Sequence, residues 1–174
     1  MDEHPIRIRP MTLADCDRVA ELRVRGWQHA YRGLMPGPYL DALSVPADAA
    51  RRRDRFLTGD GSVTNLVAEH AGEVVGWAAH GPYREGERHT ADAELYAIYV
   101  APARLGTGIG RTLLAATLDH CSDHPRLLLW VLRENTRARR FYERAGFRAD
   151  GTEETFEAGG AQVPEVRYVR ESRA

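Results

Sequence analysis

The chain has 174 residues, 43% of them hydrophobic and 28% charged, a balance ordinary for a single soluble globular domain over residues 1–174. The formal net charge is -1, so no global field favours nucleic acid or a membrane surface. All 24 strongly basic residues are arginine, which excludes a lysine Schiff base and lysine self-acetylation on this chain.

Residues 6–10 read as a short strand. Thr12 and Asp15 then form a Ser/Thr-x-x-acidic cap for a helix whose Val19, Leu22, Arg23, Gly26, Trp27 and Ala30 fall near helical spacing. Pro36, Gly37 and Pro38 break that helix, and short helices follow over 39–43 and 46–56. After a turn at Gly59-Asp60-Gly61, segments 63–69 and 73–80 read as two strands of a hairpin turning at Ala71-Gly72. Residues 82–90 read as a polar loop, 94–100 as a strand and 109–120 as a helix. The run 126–132 is nearly all apolar, as in a strand buried on both faces. A helix over 136–145 stops at Gly146, and strands near 147–156 and 162–169 are joined through Gly159-Gly160. Strands and helices in this order predict an α+β fold, a mixed sheet layered with helices.

The most informative stretch runs from Glu94 to Thr112. The β-branched and aromatic Ile98, Tyr99 and Val100 precede Gly106, Gly108 and Gly110, and a helical pattern begins at once. A glycine turn opening a helix leaves backbone N–H groups free at the positive end of the helix dipole, which suits a phosphate-bearing ligand. The spacing misses the dinucleotide fingerprint by one residue. It also misses the nucleoside-triphosphate loop, whose first glycine would be Leu105 and whose lysine would be Arg111.

The run Leu105-Gly106-Thr107-Gly108-Ile109-Gly110 resembles the Arg/Gln-x-x-Gly-x-Gly pyrophosphate loop of the GNAT acetyltransferases. Residues 135–147, with Asn135, Phe141-Tyr142 and Gly146-Phe147, look like the second signature of that family. The opening strand and first helix are similar as well, so the resemblance covers about residues 6 to 170. It departs at Leu105, which stands where the family has Arg or Gln; Arg104 lies one residue earlier. Either Arg104 reaches the phosphates from a shifted position or backbone amides suffice.

The resemblance implies a mixed, mostly antiparallel and splayed sheet of about seven strands, acetyl-CoA as co-substrate, and direct transfer of acetyl to a primary amine. It implies pantetheine contacts along Ile98, Tyr99 and Val100, phosphate contacts from Leu105, Gly106, Thr107, Gly108, Ile109, Gly110, Arg111 and Thr112, and further contacts from Asn135, Ala138 and Tyr142. Asn135 is by itself an N-cap. An alkylamine is mostly protonated near neutrality, so transfer needs a base, and the thiolate leaving group accepts a proton from an acid. Glu94 is the candidate base: strand alternation puts it on one face with Tyr96, Ile98 and Val100, and an apolar setting would lift its pKa toward neutrality. Asp92 is the alternative. The resemblance makes Tyr142 the candidate acid, on a helix face with Ala138, Phe141 and Ala145; by pattern alone it reads as a core aromatic with a satisfied hydroxyl. Trp27, Tyr31 and Glu85 are candidates for the acceptor pocket, although Trp27 and Tyr31 also read as a core-facing helix stripe.

His120, Cys121 and His124 cluster at a helix end but lack a second ligand pair, so no metal is expected. Cys16 and Cys121 read as two lone thiols of a reducing compartment. Neither a signal-like N-terminus nor an apolar run of roughly 20 residues is present, and the cytoplasm is the expected location. The expected partner is a small-molecule or peptide amine, not nucleic acid or membrane, and the protein is expected to be a monomer or homodimer. The alternative function is a non-catalytic domain that binds a CoA ester as a sensor or scaffold.

Overall fold

The structure, a computed structural model, describes residues 4–172. Seven strands form one sheet: β1 (Arg7–Pro10), β2 (Thr64–His70), β3 (Glu73–Glu85), β4 (Arg88–Val100), β5 (Arg126–Leu132), β6 (Arg148–Ala158) and β7 (Ala161–Glu171), in the order β1-β2-β3-β4-β5-β7-β6. Among the described residues the α-helices are α1 (Cys16–Ala30), α2 (Gly37–Asp41), α3 (Val45–Thr58), α4 (Ile109–His120) and α5 (Thr136–Arg144). The expected mixed sheet is present, antiparallel throughout except between β4 and β5.

One face of the sheet packs on α4 and α5 through Leu66, Leu113, Leu129 and Tyr168; the other packs on α1 to α3. Leu113 is fully buried against β3, where a Cβ on Gly76 would lie 2.9 Å from its Cδ1. The start of α1 is set by Asp15, whose carboxylate accepts the Thr12 N–H at 2.7 Å and is gripped by Arg9 at 2.7 and 3.0 Å. That guanidinium holds the Asp15 carboxyl down at about 2. Asp48 ties α3 to α1 by accepting from Arg23, Arg51 and Arg52.

Three expectations need correction. Helix α1 ends at Ala30, before Pro36, and Gly37-Pro38 open α2 because proline's fixed φ suits a first turn. Residues 82–90 are not a loop: β3 and β4 run on as a hairpin through Arg84–His89 and turn at Gly86. Their polarity reflects a two-stranded ribbon extending beyond the helices, with most of its residues exposed. Finally, β4 carries a bulge. Ala79 pairs with Ala97 but His80 pairs with Leu95, so Tyr96 is an extra residue and the alternation reverses there.

Candidate active site

The reversal decides where Glu94 points. Ala93 and Leu95 enter the core beneath α4, and so do Ile98 and Val100 beyond the bulge, whereas Ala97 and Tyr99 pack toward α1. Glu94 therefore faces the α1 side, opposite to Ile98 and Val100, and does not share their face as simple alternation predicts. Nor is it at a strand end; it lies in the middle of β4.

Glu94 sits where the sheet opens. The β4–β5 ladder consists of Ala93 with Leu127 and Glu94 with Leu128, after which the strands diverge. A split between parallel strands leaves backbone N–H and C=O groups of both edges free to pair with an extended ligand. Burial is the main cause that raises the Glu94 carboxyl to about 7, helped by Glu154 and Glu165. Asp92, the alternative base, is buried and clamped by Arg126 at 2.6 and 3.1 Å, so its charge is already neutralised.

At the other end of the split lies the glycine turn. Gly106 and Gly108 adopt φ of 81° and 91°, left-handed values that a side chain would strain. The Thr112 N–H donates to the Gly108 carbonyl at 3.0 Å, closing the first turn of α4. The amides of Ile109, Gly110 and Arg111 precede that bond and, as in any first helical turn, lack intrahelical acceptors. Ile109 is buried and can offer only its backbone. The Thr112 hydroxyl donates back to the Gly108 carbonyl at 3.2 Å, so its proton is spent within the helix. Leu105 has extended φ and ψ of -63° and 141° and is half-buried. Arg104 is the last residue of a short 3-10 turn, Pro102–Arg104, and its carbonyl accepts the Thr107 hydroxyl at 2.6 Å.

Helix α5 closes the cleft from below. The Asn135 side chain caps it by accepting the Ala138 N–H at 3.2 Å. Ala138, Phe141, Tyr142 and Ala145 form the predicted face against the core, and Phe141 lies 3.5 Å from where a Gly110 Cβ would be. Tyr142 is packed edge-to-face between Phe141 and Phe147, and burial pushes its phenol far up.

On the α1 side, Trp27 and Tyr31 pack in one cluster with Tyr39 and Phe156, as a core-facing stripe does. Tyr31 and Tyr99 share a hydrogen bond at 3.2 Å between their hydroxyls. Glu85 lies at the ribbon, 3.3 Å from Arg88 and 4.0 Å from Arg167. The sequence reading missed Glu154 and Glu165, which couple electrostatically to Glu94; burial and Glu154 raise Glu165 to about 7. Their opposition was readable in principle, since a turn at Gly159-Gly160 pairs these two positions.

His120, Cys121 and His124 line a separate cavity of about 160 Å³ with His80, behind the sheet from Glu94. Among the described residues no group of three His, Cys, Asp or Glu side chains is placed to hold a metal ion. None of the described helices is long and apolar enough to cross a membrane.

Residues 24–147 match the family described as Acetyltransferase (GNAT) family. The chain is 29% identical over 163 residues to YuaI, an uncharacterized N-acetyltransferase of Bacillus subtilis, covering 92% of this chain and 90% of that protein. An uncharacterized N-acetyltransferase of Mycobacterium tuberculosis is 30% identical over 161 residues, covering 91% of this chain and 99% of its own. Among solved structures, the PaiA N-acetyltransferase of Thermoplasma acidophilum in complex with coenzyme A has the same fold. Its TM-score is 0.76 at 19% identity, over 96% of this chain and 99% of that one.

Proposed function

The chain belongs to the GNAT acetyltransferase family, and from that premise we propose that it passes the acetyl group of acetyl-CoA directly to a primary amine, with Glu94 as base and Tyr142 as acid. The whole of residues 1–174 acts as one transferase domain in this reading. Acetyl-CoA is the co-substrate. The free amides before Thr112 and the strained glycines 106 and 108 suit its pyrophosphate, and the β4–β5 split suits its pantetheine arm. In this reading Asn135, Ala138 and Tyr142 add the further contacts to the cofactor.

The observation that carries the reading is Glu94: a half-buried carboxylate at the mouth of the split, without a cationic partner among the described residues and lifted to about 7. A base with that value is about half ionised near neutrality yet strong enough to take an ammonium proton. The amine, made neutral, attacks the acetyl carbonyl, and Tyr142 delivers a proton to the departing sulfur. Glu154 and Glu165 give the acceptor end a negative field, which favours a cationic amine over a substrate carrying a free carboxylate. Trp27 and Tyr31 supply its aromatic wall.

The test is release of free thiol from acetyl-CoA with a panel of propylamine, 1,4-diaminobutane, glycine and an alanine-terminated tripeptide. Glu94→Gln and Tyr142→Phe are expected to lose turnover while keeping affinity for acetyl-CoA. A wild-type protein that binds acetyl-CoA but acetylates no amine would favour the sensor or scaffold reading, for which Leu105 in the phosphate loop is the supporting feature.

A further inference from the structure

Glu94 is only as well placed as the strand that carries it, and that stretch of β4 is weakly held. The β3–β4 ladder breaks between Ala79 and His80 and again between Pro82 and Arg84. Between the breaks stand three pairs: His80 with Leu95, Gly81 with Glu94 and Pro82 with Ala93. Gly81 brings no side chain to pack beside Glu94, and Pro82 has no N–H to give to a ladder. Thr64–His80 is the last pair that β2 makes with this end of β3. On the other side, β5 meets β4 at Ala93 and Glu94 and then diverges. A carboxylate that takes a proton from a bound amine needs firmer support, since a misplacement of about 1 Å can cost about 100-fold in rate.

Tyr96 spans this weak stretch. It is the extra residue of the bulge, so no residue of β3 stands opposite it and its side chain is free to cross the sheet diagonally. It crosses onto Gly81. A Cβ on Gly81 would lie 3.0 Å from both Cε2 and Oη of Tyr96, so the end of the ring fills the slot that the missing side chain leaves. The Ser62 carbonyl would lie 2.9 Å from the same Cβ and closes the slot from another direction. Past Gly81, the Tyr96 hydroxyl donates to the Pro82 carbonyl. One side chain thus ties the bulge to the far end of the three pairs.

The ring also lies on the side of the sheet to which Glu94 points. Trp77 and Ala79 of β3 pack toward α1, so Gly81 faces that way by alternation, as does Glu94 directly opposite it. Tyr96 is 43% exposed, so core packing does not account for its place. Its phenol is raised above the ordinary value, by burial first and then by the Glu94 charge, so the hydroxyl keeps its proton and its bond to Pro82 while Glu94 titrates.

We propose that Tyr96 is the positioning residue of the base: by filling the Gly81 slot and holding the Pro82 carbonyl it fixes the bulge, and through the bulge the direction of Glu94. This role rests on Glu94 being the base. Without the hydroxyl, the Pro82 carbonyl is released and the strand at 93–95 is free to shift. Without the ring, the slot beside Glu94 also fills with water. The groups that face Glu94 are Glu154 from β6, Glu165 from β7 and Tyr96 from its own strand, with Arg84 of β3 reaching Tyr96. Its ladder partners Gly81 and Leu128 carry no charge.

The test is thiol release with acetyl-CoA and the best acceptor of the amine panel across pH 5.5 to 9.5, with acetyl-CoA affinity from titration calorimetry. Tyr96→Phe keeps the ring and loses the hydroxyl. It is expected to lower kcat about 10-fold, with the amine KM and the acetyl-CoA affinity within about 2-fold of wild type. Tyr96→Ala empties the slot and is expected to lose about 100-fold. It should also move the rising limb of kcat/KM to lower pH, because water then reaches a carboxyl that burial had raised to about 7. Gly81→Ala evicts the ring while leaving Tyr96 in the chain; it should resemble Tyr96→Ala, and the double variant should be no worse than either single one. A merely structural role would lower the melting temperature and leave kcat and the limb of the folded protein in place. If Gly81→Ala does not fold, the two Tyr96 variants decide. Wild-type kcat and an unmoved limb in both, beside an impaired Glu94→Gln, would overturn the positioning role alone. A raised amine KM at unchanged kcat would overturn it too, by making Tyr96 a binding contact. Full turnover in Glu94→Gln would overturn the base assignment on which the role stands.

Discussion

Glu154 and Glu165 stand directly opposite one another on neighbouring antiparallel strands, and neither makes an ion pair among the described residues. Like charges in that position repel. Burial and this neighbour raise Glu165 to about 7 in the folded chain, against an ordinary carboxylate value near 4.5. A carboxyl raised by folding lends its full stability below its unfolded pKa and withdraws it as pH rises through the folded one. Glu94, also raised to about 7, acts in the same sense. The ligand-free protein should therefore melt at a lower temperature at pH 8 than at pH 5.5. Glu165→Gln should raise the melting temperature at pH 8 and leave it nearly unchanged at pH 5.5. Calorimetric melts of the two proteins at both pH values check this; equal melting temperatures at pH 8 would show that the two carboxyls do not strain the fold.

The same carboxyl pair frames the pH dependence of turnover. If Glu94 is the base, kcat/KM rises with pH until Glu94 is ionised, near its value of about 7. Glu94→Gln should cost about 10²- to 10⁴-fold in kcat and abolish that rising limb, while acetyl-CoA affinity stays within about 2-fold if Glu94 acts on the amine and not on the cofactor. A rising limb that survives in Glu94→Gln would assign it to another group.

Much of this was legible in the chain. The glycine turn, α4 over Ile109–His120 and β5 over Arg126–Leu132 follow from periodicity and from glycine's conformational freedom, both local properties. The face of α5 that carries Tyr142 followed in the same way. The orientation of Glu94 did not, because the bulge at Tyr96 has no glycine to announce it; it is fixed by how β3 pairs, through Ala79 and His80. The ribbon at 82–90 was unreadable for a related reason. Strands that leave the core lose the alternation by which strands are recognised. Glu165 carried no mark either, since a polar residue alternating with Val166 and Tyr168 reads as the wet face of a strand until the pairing with β6 sets Glu154 opposite it.

Gly26 is a packing position of α1 against β4. A Cβ there would lie 2.6 Å from Tyr99 Cδ1, with further ring atoms at 3.2 and 3.4 Å. The Tyr99 ring is held between Trp77 and α1, so it cannot simply step aside. Gly26→Ala should destabilise the protein by about 1–3 kcal/mol despite alanine's better helix propensity. It should also impair turnover more than acetyl-CoA binding, since displaced Tyr99 loses its bond to Tyr31. Denaturant unfolding together with steady-state kinetics measures both. A stabilised protein would mean that the ring moves freely.

The phosphate loop separates two ways of holding an anion. Leu105 carries no charge, and Arg104 closes a short 3-10 turn through its backbone N–H and carbonyl. In the proposed reading the free amides at the start of α4 are the principal donors, aided by the helix dipole. Gly108 at φ 91° shapes that row of amides. A Cβ there would meet Arg111 Nη2 at 3.7 Å, an ordinary contact, so the cost of Gly108→Ala is backbone strain rather than collision. That strain, about 1–2 kcal/mol, should appear as a 5- to 30-fold loss of acetyl-CoA affinity if the loop relaxes out of the left-handed conformation on substitution. Arg104→Ala should weaken binding by no more than about 3-fold, as expected for one exposed charge near a phosphate. Titration calorimetry with acetyl-CoA on the two variants decides it: a large loss in Arg104→Ala beside a small one in Gly108→Ala would mean that Arg104 reaches the phosphates across the turn and takes over the task that Leu105 cannot perform.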